Sequence, residues 1–305
     1  LVKLFHVAGA DLNARVNLYK GVPPIYIATD FGSRMVFDYL LDQGVDVNIG
    51  SQSSGMTALL RAIAHKNSYM TDELLNAGAS AKQNFGNKRG LMAGFSPLLY
   101  AIGKNDVKLV RRLFKYGASV NEQYFRQKVS PLMDAASKSP ELVKELLFHG
   151  ADPNHENKFG KSVLQMAFKK ETPPNSKTLE LLLRAGAKPS GGKSPLTPLL
   201  MATIIGDPKS VRVLLEFGAN PKKRHTIPSE KSPMFMDKDA SEIIENGGTV
   251  LMVAAFYGHA SVVSDLLHFG SDRHATVRIG NIHLKAIDIA KKRGNKLVVG
   301  LLSKQ

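Results

Sequence analysis

The chain has 305 residues, with 41 Lys and Arg against 26 Asp and Glu, a formal charge of +15, 43% hydrophobic residues and neither Cys nor Trp. That composition excludes wholesale disorder, a disulfide framework, thiolate metal sites and cysteine nucleophiles. The longest apolar runs, such as VLMVAAFY at 250–257, are far shorter than the roughly 20 residues of a bilayer-spanning helix, so a soluble protein attracted to acidic partners is expected.

In chain order, the first feature is VAGADLN, an apolar stretch ending in Gly9, a small residue and polar residues. The same pattern returns around Gly44, Gly78, Gly117, Gly150, Gly186, Gly218 and Gly270, at separations of 32 to 39 residues and finally 52. About twenty residues before each later Gly stands a second element: PPIYIA, TALLRAIA, SPLLYAI, SPLMDAA, SVLQMAF, TPLLMAT and TVLMVAA, with AIDIA at 286–290 opening one more unit. Ser or Thr followed by Pro predicts a capped helix start, because Pro at the first helical position forfeits no hydrogen bond. A turn follows, often with Gly, and then a second helix with paired apolar residues such as Val107, Val110, Leu113 and Phe114. The repeated Gly suits a left-handed C-terminal cap. One helical pair cannot bury its apolar surface alone, so neighbouring units must stack.

The residues TPLL at Thr197–Leu200, AAFYGH at Ala254–His259, and Leu146-Leu147 with Gly150–Asp152 and Asn154 resemble the ankyrin-repeat family. The resemblance covers essentially the whole chain. It departs from the family where the usual TPLH histidine is replaced by Tyr26, Leu60, Leu99, Met133, Gln165, Leu200 and Met252. It implies an all-α solenoid of about eight helix-turn-helix units with short β-hairpin or loop connections, forming one domain over 1–305. A partial first repeat occupies 1–14, and complete units follow at about 15–48, 49–82, 83–121, 122–154, 155–190, 191–221 and 222–274. A polar C-terminal cap spans 275–305. The 52-residue spacing places a long loop insertion at about 222–248, carrying Met234-Phe235-Met236 and a possible helical turn at 240–245; a smaller insertion sits at 83–95. Such insertions map to loops, often on the binding face.

The resemblance further implies a protein-binding surface formed by hairpin tips and inner helices. The positions it places there include Tyr19, Phe31, His65, Phe95, Lys104, Lys138, Phe159, Lys170, Ile205, Phe256 and Tyr257, to which the insertion adds Met234, Phe235 and Met236. Aromatic anchors flanked by charge are the residues protein interfaces use as hot spots. A non-enzymatic module binding another protein with an acidic surface, as a monomer and with no cofactor, is the expectation. Its use is read first as an inhibitor or immunity protein that occludes a partner enzyme; a host-directed effector or a scaffold is the alternative. A rival from another class is nucleic-acid or anionic-polymer binding through the basic loops, although the basic residues are scattered in twos and threes rather than gathered in a tail. The Leu1 start implies a processed or trimmed product. With the missing Cys and the divergent, Lys-rich units, it favours a bacterial exported or periplasmic protein over a cytoplasmic one.

No enzyme chemistry is expected. There is no HExxH and no G-x-S-x-G. The pairs His149/His155 and His268/His274 recur because they sit at equivalent places around the repeated Gly. Gly191-Gly192-Lys193-Ser194 resembles half a phosphate-binding loop, but a helix precedes it and the first Gly is one position off, so an inter-repeat hairpin is predicted.

Overall fold

The computed structural model describes residues 2–16, 21–82, 96–124, 127–168, 173–227 and 237–304. Two compact units make up the chain, Leu1–Arg126 and Gln127–Gln305. The first holds α1 (Val2–Val7), α2 (Pro24–Asp30), α3 (Arg34–Asp42), α4 (Ala58–Ala64), α5 (Ser68–Asn76), α6 (Pro97–Gly103) and α7 (Val107–Lys115). The second holds α8 (Pro131–Ala136), α9 (Pro140–Phe148), α10 (Val163–Met166), α11 (Ser176–Arg184), α12 (Pro198–Ile205), α13 (Pro208–Glu216) and α14 (Lys238–Glu245). It continues with α15 (Val250–Tyr257), α16 (Ala260–His268), the strands β1 (Thr276–Ile279) and β2 (Ile282–Lys285), α17 (Ala286–Lys292) and α18 (Lys296–Ser303). Among the described residues, no helix is long and apolar enough to cross a membrane.

Each repeat is an inner helix followed by an outer one. The capping Ser or Thr acts as the sequence predicts: the hydroxyls of Ser96, Ser130 and Thr197 accept the amides of Leu99, Met133 and Leu200. Ser162 goes further and exchanges bonds with Gln165 in a capping box. Inner helices are apolar nearly all round, as in α12, where Leu199, Leu200, Ala202 and Ile204 are all buried. Outer helices bury a single stripe, such as Val211, Leu214 and Leu215 of α13. Burying each such Leu or Val contributes about 1.5–3 kcal/mol, which is where the stack gains its cohesion.

In most repeats both helices end in the same device. At the outer helix the repeated Gly takes φ between +68° and +91°, and the next amide bonds back to a buried Leu carbonyl, as in Ala79 to Leu74 and Ala219 to Leu214. This is a Schellman motif. Space does not demand Gly there, since at Gly44, Gly150 and Gly218 a Cβ would meet nothing within 4 Å; the backbone angle does. Six of the inner helices close alike on a small residue at the same place. Ala28, Ala62, Ala101, Ala202, Ala254 and Ala290 are buried, and their carbonyls receive the amides of Ser33, Asn67, Asp106, Asp207, His259 and Asn295.

In two repeats an asparagine stitches the hairpin to the following repeat. The Asn48 Oδ1 accepts the Ser80 amide while its Nδ2 donates to the Gly78 carbonyl; Asn154 does the same with Lys188 and Gly186. The loop Gly191–Ser194 is an inter-repeat hairpin, as predicted, with the Ser194 amide on the Gly160 carbonyl at 2.8 Å.

The described parts of the 222–248 insertion fold back onto the second unit. Arg224 bridges to Thr249, and its guanidinium donates to the carbonyls of Gly247 and Thr276. The predicted turn at 240–245 is the full helix α14, which packs on α15 and β1. Met234, Phe235 and Met236 lie outside the described residues, as does the insertion at 83–95. The strands β1 and β2 form an antiparallel hairpin that pairs Val277 with Leu284 and Ile279 with Ile282. Gly280 supplies the positive φ that the first position of its two-residue loop requires.

Candidate protein-binding face

The ends of six inner helices, α2, α4, α6, α12, α15 and α17, each present one residue just before a left-handed turn. Phe31, His65, Lys104, Ile205, Tyr257 and Arg293 occupy this position, followed by Gly32, Lys66, Asn105, Gly206, Gly258 and Gly294, all with positive φ. Five of the six were anticipated from the sequence as partner-binding residues.

In the first unit, Phe31 is 67% exposed at the end of α2. It borders a groove of about 390 Å³ lined also by Val22, Tyr26, Asp30, Met56 and Arg61. The Asp30 carboxylate pairs with the Arg61 guanidinium and stands 3.0 Å from His65 Nε2. Burial alone would raise the Asp30 pKa, but hydrogen bonds from Arg61 and His65 outweigh it and hold the carboxyl below its ordinary value. The same carboxylate pushes the Arg61 pKa up. Tyr26 shares the groove; burial raises its phenol, against the pull of Arg61, and its hydroxyl lies 3.6 Å from the Met56 sulfur. Lys104, at the end of α6, places its ammonium 5.6 Å from the Tyr100 ring.

In the second unit, Lys138 lies 4.0 Å from Asp134 on α8, and Phe159 is 56% exposed at a hairpin tip with the Lys158 ammonium 5.3 Å from its ring. Ile205 is half-buried at the end of α12. Tyr257 is half-buried too: its hydroxyl accepts the Asp237 amide at 3.1 Å and its ring stacks on His259. Burial raises the Tyr257 phenol, offset in part by that amide. Phe256 needs correction as an accessible anchor. It is 4% exposed, roofed by the Arg293 guanidinium 4.2 Å from its ring. Tyr19, Phe95 and Lys170 lie outside the described residues. Among the described residues no group of three His, Asp or Glu could hold a metal ion. His149 instead pairs with Glu145, and His155 bonds the Lys128 carbonyl.

Sequence reasoning placed Asp30 on this face beside Phe31 but missed Arg61, its partner in the ionic centre of the first groove. A signal was present: Asp30 directly precedes Phe31, and Arg61 is the lone charge inside TALLRAIA.

Paired helices closed by recurring turns and joined by short hairpins define a helical-repeat scaffold. The chain belongs to the ankyrin-repeat family, whose profiles match residues 1–85, 71–157, 132–225 and 246–277. It is 32% identical over 114 residues to an ankyrin repeat protein of fowlpox virus, covering 37% of this chain and 32% of that protein. It is 26% identical over 189 residues to the phosphocholine transferase AnkX of Legionella pneumophila, covering 55% of this chain and 20% of that protein. The matched region thus spans a third or less of these relatives. Among solved structures, an ankyrin repeat domain from Acinetobacter baumannii aligns with a TM-score of 0.57 at 27% identity, over 65% of this chain and 98% of that one. The human ASB11 ankyrin repeat domain aligns with a TM-score of 0.56 at 24% identity, over 82% and 98%. The repeats make the chain a protein–protein interaction module.

Proposed function

We propose that this module engages an acidic protein surface through the ends of its inner helices, with the groove beside Phe31 as the principal anchor point in the first unit. The observation that carries this reading is the exposed Phe31 ring on a 390 Å³ groove whose wall holds a paired Arg61 and Asp30. An aromatic anchor next to half-buried, paired polar groups is the arrangement from which hot spots are built. The charge of +15 supports an acidic partner and a fast encounter. A face built on short, doubly capped helices forfeits little conformational entropy on binding. We take the finer role to be occlusion of a partner enzyme, as an inhibitor or immunity protein, for which a preorganised basic face is suited. The module acts as a monomer in this reading.

Capture of proteins from the source organism on immobilised wild-type chain and on Phe31→Ala tests it. The expected result is an acidic protein retained by the wild type and weakened at least tenfold, about 1.4 kcal/mol, by Phe31→Ala, with unchanged helical circular dichroism. Identical retention by both proteins would refute the Phe31 site. Steeply salt-dependent retention of mixed-sequence DNA in place of protein would favour the nucleic-acid alternative.

A further inference from the structure

The second unit carries a cavity that the repeat pattern alone does not produce. Its walls come from the insertion helix α14 and the β1–β2 hairpin, set against the repeat helices α15 and α17. The hairpin has one apolar face, Val277, Ile279, Ile282 and Leu284, because residues two apart share a side and Ile279 pairs with Ile282. The root of that face is covered, with Val277 buried against the unit. The tip is open, and Ile282 is 53% exposed. Between the tip, α14 and α17 lies a cavity of about 210 Å³ lined by Ile243, Phe256, Ile279, Ile282, Leu284 and Ile289. A cavity of roughly 150 Å³ with such a lining holds a benzene ring, so this one has room for a single large side chain.

The rim is charged and divided. Lys292 and Arg293 stand on the α17 side, Asp239 and Glu242 on the α14 side, and all four are exposed. None of them takes part in an ion pair among the described residues. Arg293 is held over the Phe256 ring, its guanidinium carbon 4.2 Å from the ring centre. A guanidinium fixed in that way keeps its edge donors available for a carboxylate.

We infer that this cavity is a second docking site, which takes one large apolar side chain of a partner protein segment flanked by an acidic residue facing Lys292 and Arg293 and a basic residue facing Asp239 and Glu242. The inference rests on the protein-binding reading above but uses a separate cavity in the second unit, to which Arg293 alone of those inner-helix ends contributes. The divided rim selects the occupant: a purely acidic segment would be repelled by α14, and a purely basic one by α17. An apolar side chain alone would leave both rims without counter-charge.

The probes are two fluorescein-labelled, end-blocked nonapeptides in a Gly/Ser background, one with Lys, Leu and Glu in that order at alternate central positions and one with the order reversed. Anisotropy titrations use the full chain. At least one probe is expected to bind, to weaken tenfold or more when its Leu becomes Ala, and to weaken severalfold, with loss of salt dependence, when its Glu becomes Gln. Ile282→Glu, at an exposed position, and Arg293→Gln should each reduce affinity tenfold with circular dichroism unchanged, while Phe31→Ala should leave it unaltered. The inference is overturned if neither probe binds the wild type, or if both variants bind as the wild type does. It is equally overturned if binding emerges only after deletion of 228–236, which would make the chain's own segment the occupant. Failure of the probes alongside Phe31-dependent capture of a protein would remove this site and leave the broader reading standing.

Discussion

His225 makes the stability of the second unit dependent on pH in a defined direction. Its side chain is 3% exposed, and its Nδ1 is buried without a hydrogen-bond partner. Burial lowers its pKa from 6.5 to about 4, helped by the nearby charge of Lys223 and opposed by a bond to the Pro195 carbonyl. The physical cause is local. A neutral ring can give its one N–H to that carbonyl and keep a bare lone pair in the apolar interior. A protonated ring would place an unpaired N–H and a charge there. A depressed histidine pKa means that between pH 6.5 and 4 the unfolded chain binds a proton that the folded chain does not. The contribution is therefore complete above pH 6.5, declines as pH falls through that window and levels off below about 4. Lowering the pH from 7.5 to 4.5 should cost about 2.5 kcal/mol through this residue alone. His259, whose pKa burial also lowers, adds a decline of the same sign. The assay is urea denaturation followed by circular dichroism at both pH values, for wild type and His225→Phe. Carboxylates and His259 contribute equally to both proteins, so the difference between them isolates His225. A decline that is the same in both proteins, within about 0.5 kcal/mol, would refute the assignment of a neutral, proton-excluding site.

Two further substitutions probe how the repeats hold together. Lys66 has φ of +56° at the turn position that Gly32, Gly206, Gly258 and Gly294 fill elsewhere. A left-handed conformation costs an L-residue roughly 1–2 kcal/mol, so Lys66→Gly should stabilise the first unit by about 0.5–1 kcal/mol after the greater chain entropy of Gly is subtracted; a lower urea midpoint would contradict this. Asn154→Ala removes the bonds to Lys188 and Gly186 and should destabilise the second unit by about 1–2 kcal/mol. Hydrogen exchange at the Lys188 amide should speed up, and Asn154→Asp, which retains an acceptor, should slow it again. Unchanged exchange in the Ala variant would show that the stitch contributes nothing.

The repeat was legible because its determinants are local. Gly at the end of the outer helix, Ser or Thr before the inner one and three-or-four spacing of apolar residues each act within one helical turn. The ends of the inner helices were legible for the same reason, and Phe31 and Lys104 emerge exposed there. Phe256 was misplaced because adjacent aromatics on a helix lie about 100° apart, so only one of the pair can face outward, and periodicity alone does not say which. The answer lies in distant segments: α14 packs on α15, and Arg293, 37 positions further on, covers the ring. The cavity beside Ile282 escaped notice for the same cause. Its walls come from segments around residues 240, 256, 280 and 290, brought together by the strand register and the folded insertion.

The two kinds of turn also separate what stabilises this chain from what is free to specify a partner. Leu74, Leu214, Ala62 and Ala254 are buried, and their carbonyls receive the turn bonds, so changing them opens cavities or crowds neighbouring helices. The position just before the left-handed residue of the inner-helix turn carries no such duty. Along the chain it is filled by phenylalanine, histidine, lysine, isoleucine, tyrosine and arginine, a range of size, charge and polarity that no shared packing site would accommodate. Substitution there leaves in place the backbone bonds that close these helices, so under the proposed binding reading it alters recognition at little structural cost. The same separation lets the chain carry additions. The 222–248 insertion leaves the pairing of α13 with α12 and of α15 with α16 intact, and it adds walls to one end of the second unit rather than distorting the stack. The turns and insertions are thus where a proposed change of recognition chemistry costs least in folding stability.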